Sequence, residues 1–138
     1  MTTPTLLHDP SNPVQHSEPI GLTPAQYSAI IDGMKGCVTD GTAKILALPA
    51  YSIPGVRIAG KTGTAQVRKI GGTIDIAWFI GFAPADHPQV AWAVAIEGDT
   101  LNEGFGGAQY AAPIAVAILK KYFEKQNRGT ETKALTSN

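Results

Sequence analysis

The sequence predicts an α+β fold: a helix, a three-stranded antiparallel meander, and a second helix packed on the sheet. Three observations predict it. Apolar residues recur at helical spacing near the start, at Tyr27, Ile30, Ile31 and Met34. Three runs rich in β-branched and aromatic residues follow, separated by turn sequences at Gly71-Gly72 and at Pro84–Pro88. A second helical pattern then covers Ala108–Phe123. Two consecutive short connections leave no length for a crossover, so neighbouring strands run antiparallel.

The elements are justified in chain order. Residues 1–21 are rich in Pro, Ser, Thr and His and are expected to form a loop or linker. Thr23 suits an N-cap and Pro24 the first helical position. Gly36 is expected to help end this helix, with Cys37 and Val38 extending it by part of a turn. After the Asp40-Gly41 turn, Thr42–Leu48 reads as a short helix stopped by Pro49. Pro54-Gly55 is a turn, and Val56–Val67 reads as the first strand, with glycines in its middle. Thr73–Phe82 is the second strand. Gln89–Glu97, with Val90, Trp92, Val94 and Ile96 alternating against smaller residues, is the third. Gly98–Gly107 is a polar, glycine-rich loop. The last helix presents Ile114, Ile118 and Leu119 on one face, flanked by Val116 and Tyr122; Lys120, Lys121 and Lys125 favour its C-terminal end. Residues 126–138 are expected to be a flexible polar tail, leaving 22–125 as the folded part.

Bulk properties exclude several function classes. The 138 residues fit one domain or a large piece of one. Eleven basic residues balance eleven acidic ones, which argues against an electrostatic grip on nucleic acid or an anionic membrane. Arg68-Lys69 and Lys120-Lys121 read as solvated faces. The single cysteine, Cys37, excludes an internal disulfide and reads as a small buried residue rather than a nucleophile. His8, His16 and His87 lack the spacing of a metal site, and Asp99, Asn102 and Glu103 lack that of a calcium loop. No metal and no organic cofactor are expected. No signal peptide is recognisable at the start, and no apolar run is long enough to span a bilayer. Trp78, Phe79 and Trp92 read mainly as sheet-packing residues.

The informative segment is Ala59-Gly60-Lys61-Thr62-Gly63-Thr64-Ala65-Gln66. Gly55–Thr62 fits the phosphate-loop pattern G-x-x-x-x-G-K-[ST] letter for letter. That pattern needs a buried strand before it and a helix starting near the lysine. Here Val56-Arg57-Ile58 prefers an extended chain, and Gly63-Thr64 starts a helix poorly. The competing reading is the Lys-Thr-Gly motif of serine acyl-transferases, which lies on a strand at the edge of the cleft. The context supports the second. Gly60–Gln66, then Ala77-Trp-Phe-Ile-Gly-Phe-Ala-Pro84, then Gly106-Gly107 and Ala111-Ala-Pro-Ile-Ala115, together with Gly33-Met34 and Gly41-Thr42-Ala43 upstream, resembles the end of class B penicillin-binding proteins, the elongation type above all. The resemblance covers roughly residues 22 to 124.

The resemblance implies the C-terminal part of the penicillin-binding, β-lactamase-like serine acyl-transferase fold. Lys61 would place positive charge beside the nucleophile and the substrate carboxylate. Thr62 and Thr64 would offer that carboxylate hydroxyl donors, and Gly63 would let a substrate backbone approach. The Thr64 N–H would be one oxyanion donor, so Lys61 and Thr64 carry the catalytic expectation. The implied partners are a D-Ala-D-Ala stem peptide, β-lactams and the N-terminal part of the same domain. The implied location is the inner membrane, facing the periplasm or cell exterior.

The family also uses Ser-x-x-Lys and Ser-x-Asn. Ser11, Ser17, Ser28 and Ser52 are followed three places on by Val14, Ile20, Ile31 and Gly55, and Ser137 lies too near the end. No Ser-x-Asn occurs. Without an activated serine this chain alone should not acylate. A non-catalytic binding module, or a truncated relic with an aggregation-prone sheet edge, is the alternative. Many relatives place His before the Ala-Trp-Phe run, where this chain has Asp75-Ile76.

Overall fold

The computed structural model describes residues 20–69, 72–99 and 105–136. Residues 1–19, Ile70, Gly71, 100–104 and 137–138 lie outside the described residues. With them go nearly all of the expected linker, His8, His16, Asn102, Glu103 and one glycine of the Gly71-Gly72 turn. Two compact units are distinguished, Met1–Ile30 and Ile31–Asn138.

In the first unit, helix α1 (Pro24–Thr39) begins at a capping box. The Thr23 hydroxyl accepts from the Gln26 N–H at 3.3 Å, and the Gln26 carboxamide oxygen accepts from the Thr23 N–H at 2.9 Å. Tyr27 and Ile30, two of the residues at helical spacing, are exposed by 56% and 49%. The apolar repeat marks the helix but not a buried face.

In the second unit, α1 continues past Gly36 through Thr39. A helical glycine costs only about 1 kcal/mol against alanine, and burial of Cys37 and Val38 holds this turn. The chain then reverses: the Asp40 and Gly41 N–H groups both donate to the Gly36 carbonyl, at 3.0 and 2.9 Å. A Cβ on Gly41 would lie 2.7 Å from the Cys37 Cα, so only glycine fits this turn. The expected helix at Thr42–Leu48 is instead a pair of 3-10 turns, Lys44–Ala47 and Pro49–Tyr51. Pro49 forces Leu48 to be extended (φ −67°, ψ 146°), which divides the segment.

Strands β1 (Ala59–Lys69), β2 (Gly72–Ala83) and β3 (Val90–Asp99) form an antiparallel sheet in the order β1-β2-β3. β1 starts three residues later than the expected Val56. Gly55 (φ 71°) closes a turn in which the Val56 N–H donates to Ile53. Arg57 then uses its carbonyl to hold the Ala85 N–H at 2.7 Å, beyond the end of β2. Arg57 also pairs with Asp86 at 2.6 Å, and Lys35 reaches the same carboxylate at 3.5 Å.

Hydrogen bonding from Arg57, reinforced by its charge and by Lys35, holds the Asp86 carboxyl below its ordinary value despite some desolvation. A depressed carboxyl contributes stability at neutral pH that is lost as pH falls through its folded-state value. A carbon-detected NMR titration should place the Asp86 midpoint below that of a free aspartate, and Arg57→Gln should move it upward.

The last helix, α2 (Ala112–Thr136), follows a π-helical turn at Gly107–Ala111. The wide turn falls just before Pro113, which lacks the N–H for a regular bond. α2 runs past the expected end at Phe123 to Thr136. Its buried face is Ala112, Ala115, Val116, Leu119 and Phe123, whereas Ile114 and Ile118 are exposed by 43% and 60%. Small alanines let the helix approach the sheet, so the packed stripe is not the one with the largest side chains. Phe79 is fully buried against Ala111, Ala112, Ala115 and Val116, with Cys37, Val38, Ala43 and Leu46 in the same cluster. Trp92 packs on Phe79, ring centroids 5.8 Å apart.

Candidate functional site

β1 is an edge strand, and Lys61, Thr62, Gly63 and Thr64 occupy its middle, opposite Ile80, Phe79, Trp78 and Ala77 of β2. Strand alternation puts Thr62 and Thr64 on the face of Phe79, toward α2, and Lys61 and Gly63 on the face of Trp78. Because the strand is an edge, both faces meet at its free side. The Lys61 ammonium donates to the Thr62 carbonyl at 2.6 Å. A pocket of about 360 Å³ is lined by Thr42, Lys61, Thr62, Gly63, Thr64, Gly106, Gly107 and Ala108. All four residues singled out from the sequence therefore line one pocket.

Lys61 and Thr62 sit within a strand, not at the start of a helix. The phosphate-loop geometry required by Gly55–Thr62 is not formed, because Gly55 is in a turn and the chain runs on from Thr62 as strand rather than helix.

The structure adds wall residues that periodicity does not assign. Thr42, in the turn after α1, places its Oγ1 2.6 Å from the Thr62 Oγ1. Cys37 Sγ lies 3.4 Å from the Thr42 Oγ1. Burial opposes ionisation of this thiol, but hydrogen bonds from Thr42 and the Thr62 and Ala43 backbone, with the Lys61 charge, outweigh it and hold its pKa below the ordinary value. Gly107 seats against β1 and β2: a Cβ there would overlap the Trp78 carbonyl oxygen and lie 3.0 Å from that of Gly63. Glycine at 107 thus sets how closely the start of the last helical segment approaches the pocket. That start carries the positive end of the helix dipole. The signal for these residues was present in Gly41-Thr42-Ala43 and Gly106-Gly107, but only as segments, without a reason to place them beside Lys61.

The other sequence candidates fall elsewhere. Trp78 is 38% exposed on the sheet face opposite Phe79, while Phe79 and Trp92 serve the core. His87 is an exposed residue of the turn after β2. Among the described residues, no group of three or more His, Cys, Asp or Glu side chains could hold a metal.

Comparison with known proteins gives a consistent picture. The family model for the penicillin-binding-protein transpeptidase domain matches residues 1–120. The chain is 44% identical over 79 residues to the peptidoglycan D,D-transpeptidase PbpA of Mycobacterium tuberculosis, covering 56% of this chain and 16% of that protein. It is 38% identical over 90 residues to stage V sporulation protein D of Bacillus subtilis, covering 63% and 13%. It is 36% identical over 95 residues to the peptidoglycan D,D-transpeptidase MrdA of Acinetobacter baumannii, covering 60% and 13%. The chain thus spans about a sixth or less of the curated relatives it matches. The fold matches the crystal structure of a peptidoglycan synthetase from Bifidobacterium adolescentis, with a TM-score of 0.59, 22% identity, and coverage of 86% of this chain and 22% of that one. With the helix, antiparallel meander and helix in place and the match running through nearly the whole folded part, the chain belongs to the penicillin-binding-protein transpeptidase domain family.

Proposed function

We propose that this chain is the C-terminal part of a peptidoglycan D,D-transpeptidase domain and supplies the Lys61–Thr64 wall of its acyl-transfer site. The observation that carries this reading is the pocket at the free edge of β1, where Lys61 and three threonines, Thr42, Thr62 and Thr64, converge with the glycine-rich start of the last helical segment. A cation and hydroxyl donors suit a carboxylate, and the edge strand suits an extended peptide backbone. The C-terminal carboxylate of a D-Ala-D-Ala stem peptide would meet Lys61, Thr62 and Thr64. The attacked carbonyl would lie by the Thr64 N–H, which stabilises the developing oxyanion.

The nucleophilic serine comes from a Ser-x-x-Lys segment that these 138 residues do not contain. Its hydroxyl loses a proton to a neighbouring base, attacks the penultimate D-Ala carbonyl and expels the terminal D-Ala. An amine on a neighbouring strand then takes the acyl group. β-Lactams acylate the same serine as substrate mimics. The elongation-type assignment rests on the flanking runs Ala77–Pro84 and Ala111–Ala115. The location follows the family: a membrane-anchored protein with this domain outside the cytoplasm. Among the described residues, no helix is long and apolar enough to cross a membrane.

Absence of the serine motif favours a second reading, a chain that binds but does not react. Fluorescent penicillin tests the two together. The 138-residue chain alone should take no covalent label; a label on it would place a nucleophile here that neither reading contains.

A further inference from the structure

We propose that Thr42 is a positioning residue for carboxylate binding, fixing the direction in which the Thr62 hydroxyl donates. The inference rests on the proposed role of the Lys61–Thr64 wall and adds to it a residue from outside the Lys-Thr-Gly strand. A hydroxyl can point its single proton in several directions, and only one of them serves a ligand anion. Thr42 and Thr62 are 2.6 Å apart, so one of them donates to the other. If Thr62 donated to Thr42, its proton would be lost to the ligand. The Cys37 Sγ lies 3.4 Å from the Thr42 Oγ1, a contact in which either atom can donate, so the protonation of the thiol selects the direction in the proposed relay. With the thiol neutral, the relay runs Cys37 to Thr42 to Thr62, and Thr62 keeps its proton for the carboxylate.

The relay is held by the backbone. The Gly41 N–H donates to Gly36, Ala43 to Cys37 and Lys44 to Gly41, at 2.9, 2.9 and 3.1 Å, which fixes the turn carrying Thr42. A side chain at Gly41 would push the turn away from α1, since its Cβ would lie 2.7 Å from the Cys37 Cα. The relay also has a sign. A Cys37 thiolate accepts from Thr42, which must then accept from Thr62, and the donor is withdrawn from the ligand. Lys61 is the charged group acting on this thiol, beside the Thr42 hydroxyl and the Thr62 and Ala43 backbone, and Val38, Ala43 and Leu46 share its buried cluster.

The test is an amide NMR titration of the intact chain with acetyl-D-alanyl-D-alanine. The wild-type chain should show saturable shifts at Lys61–Thr64. Thr42→Val should weaken binding about five-fold, and Thr42→Ser should restore it to within about two-fold of wild type. Equal affinity in Thr42→Val overturns the positioning role and leaves the carboxylate site standing. Absence of saturable shifts in the wild type overturns the carboxylate reading itself and the relay with it. If Thr42→Val does not fold, Cys37→Ser decides. Affinity falling as pH rises in the wild type but not in Cys37→Ser supports the relay, and identical profiles overturn it; Lys61 is common to both proteins, so its contribution cancels.

Discussion

Lys61→Ala is expected to slow penicillin acylation of the complete domain at least about 100-fold, the loss found when a preorganised electrostatic group is removed from an acyl-transfer site. Completing the domain means joining this chain to a segment with Ser-x-x-Lys and Ser-x-Asn. The size of the effect follows from placement. Lys61 is the cation of the pocket wall, on an edge strand beside two threonines. Its ammonium is spent on the Thr62 carbonyl in the free site, 2.6 Å away, and is exposed enough to turn to an anion. Lys61→Arg keeps the charge but replaces a compact ammonium with a planar fork, so only partial activity should return. Thr62→Val should cost less, about ten-fold, because one hydroxyl donor is removed while charge and strand geometry remain. The measurement is the rate of adduct formation by stopped-flow or intact-mass sampling. Folding is checked separately, since Lys61 is exposed and contributes nothing to the core.

Phe79→Ala is expected to destabilise the fold by about 3–5 kcal/mol. Phe79 is fully buried, touches the small residues of α2 and tilts against Trp92. It also sits under the site: a Cβ on Gly60 would lie 2.6 Å from the Phe79 ring, so the strand carrying Lys61 rests directly on this side chain. The alanines of α2 cannot move in to fill the space without drawing the whole helix toward the sheet. A domain of this size has about 5–15 kcal/mol to lose, so this one change could consume much of it. Urea denaturation checks the prediction, with Ile118→Ala as the control. Ile118 is 60% exposed on α2, and its truncation should cost under about 1 kcal/mol.

The contrast between Phe79 and Ile118 shows what the sequence did and did not disclose. Strand order, strand direction and the position of Lys61 on a strand were readable, because period-two alternation and short turns leave few alternatives. The buried face of α2 was readable only in part: Leu119 and Val116 are buried, Ile114 and Ile118 are not. Hydrophobic size pointed to Ile114 and Ile118, but close packing on a sheet selected the alanine stripe, which carries little hydropathy signal. The extent of α2 and the division of the Thr42–Leu48 segment were misjudged for related reasons: a polar helix has no apolar period, and Pro49 acts on the residue before it. The site was half legible. Lys61, Thr62, Gly63 and Thr64 are contiguous, so a motif finds them. Thr42 reaches Thr62 across a turn, and Gly107 reaches Gly63 from the far end of a loop; neither closeness follows from any local pattern.

The most direct test of the central claim is covalent labelling of the completed domain by a penicillin, with the modified residue located by mass spectrometry. The account predicts a single adduct on the serine of the supplied Ser-x-x-Lys segment, formed with the wild-type chain and lost or greatly slowed with Lys61→Ala. A completed, folded domain that takes no label, or labels equally fast without Lys61, would contradict it.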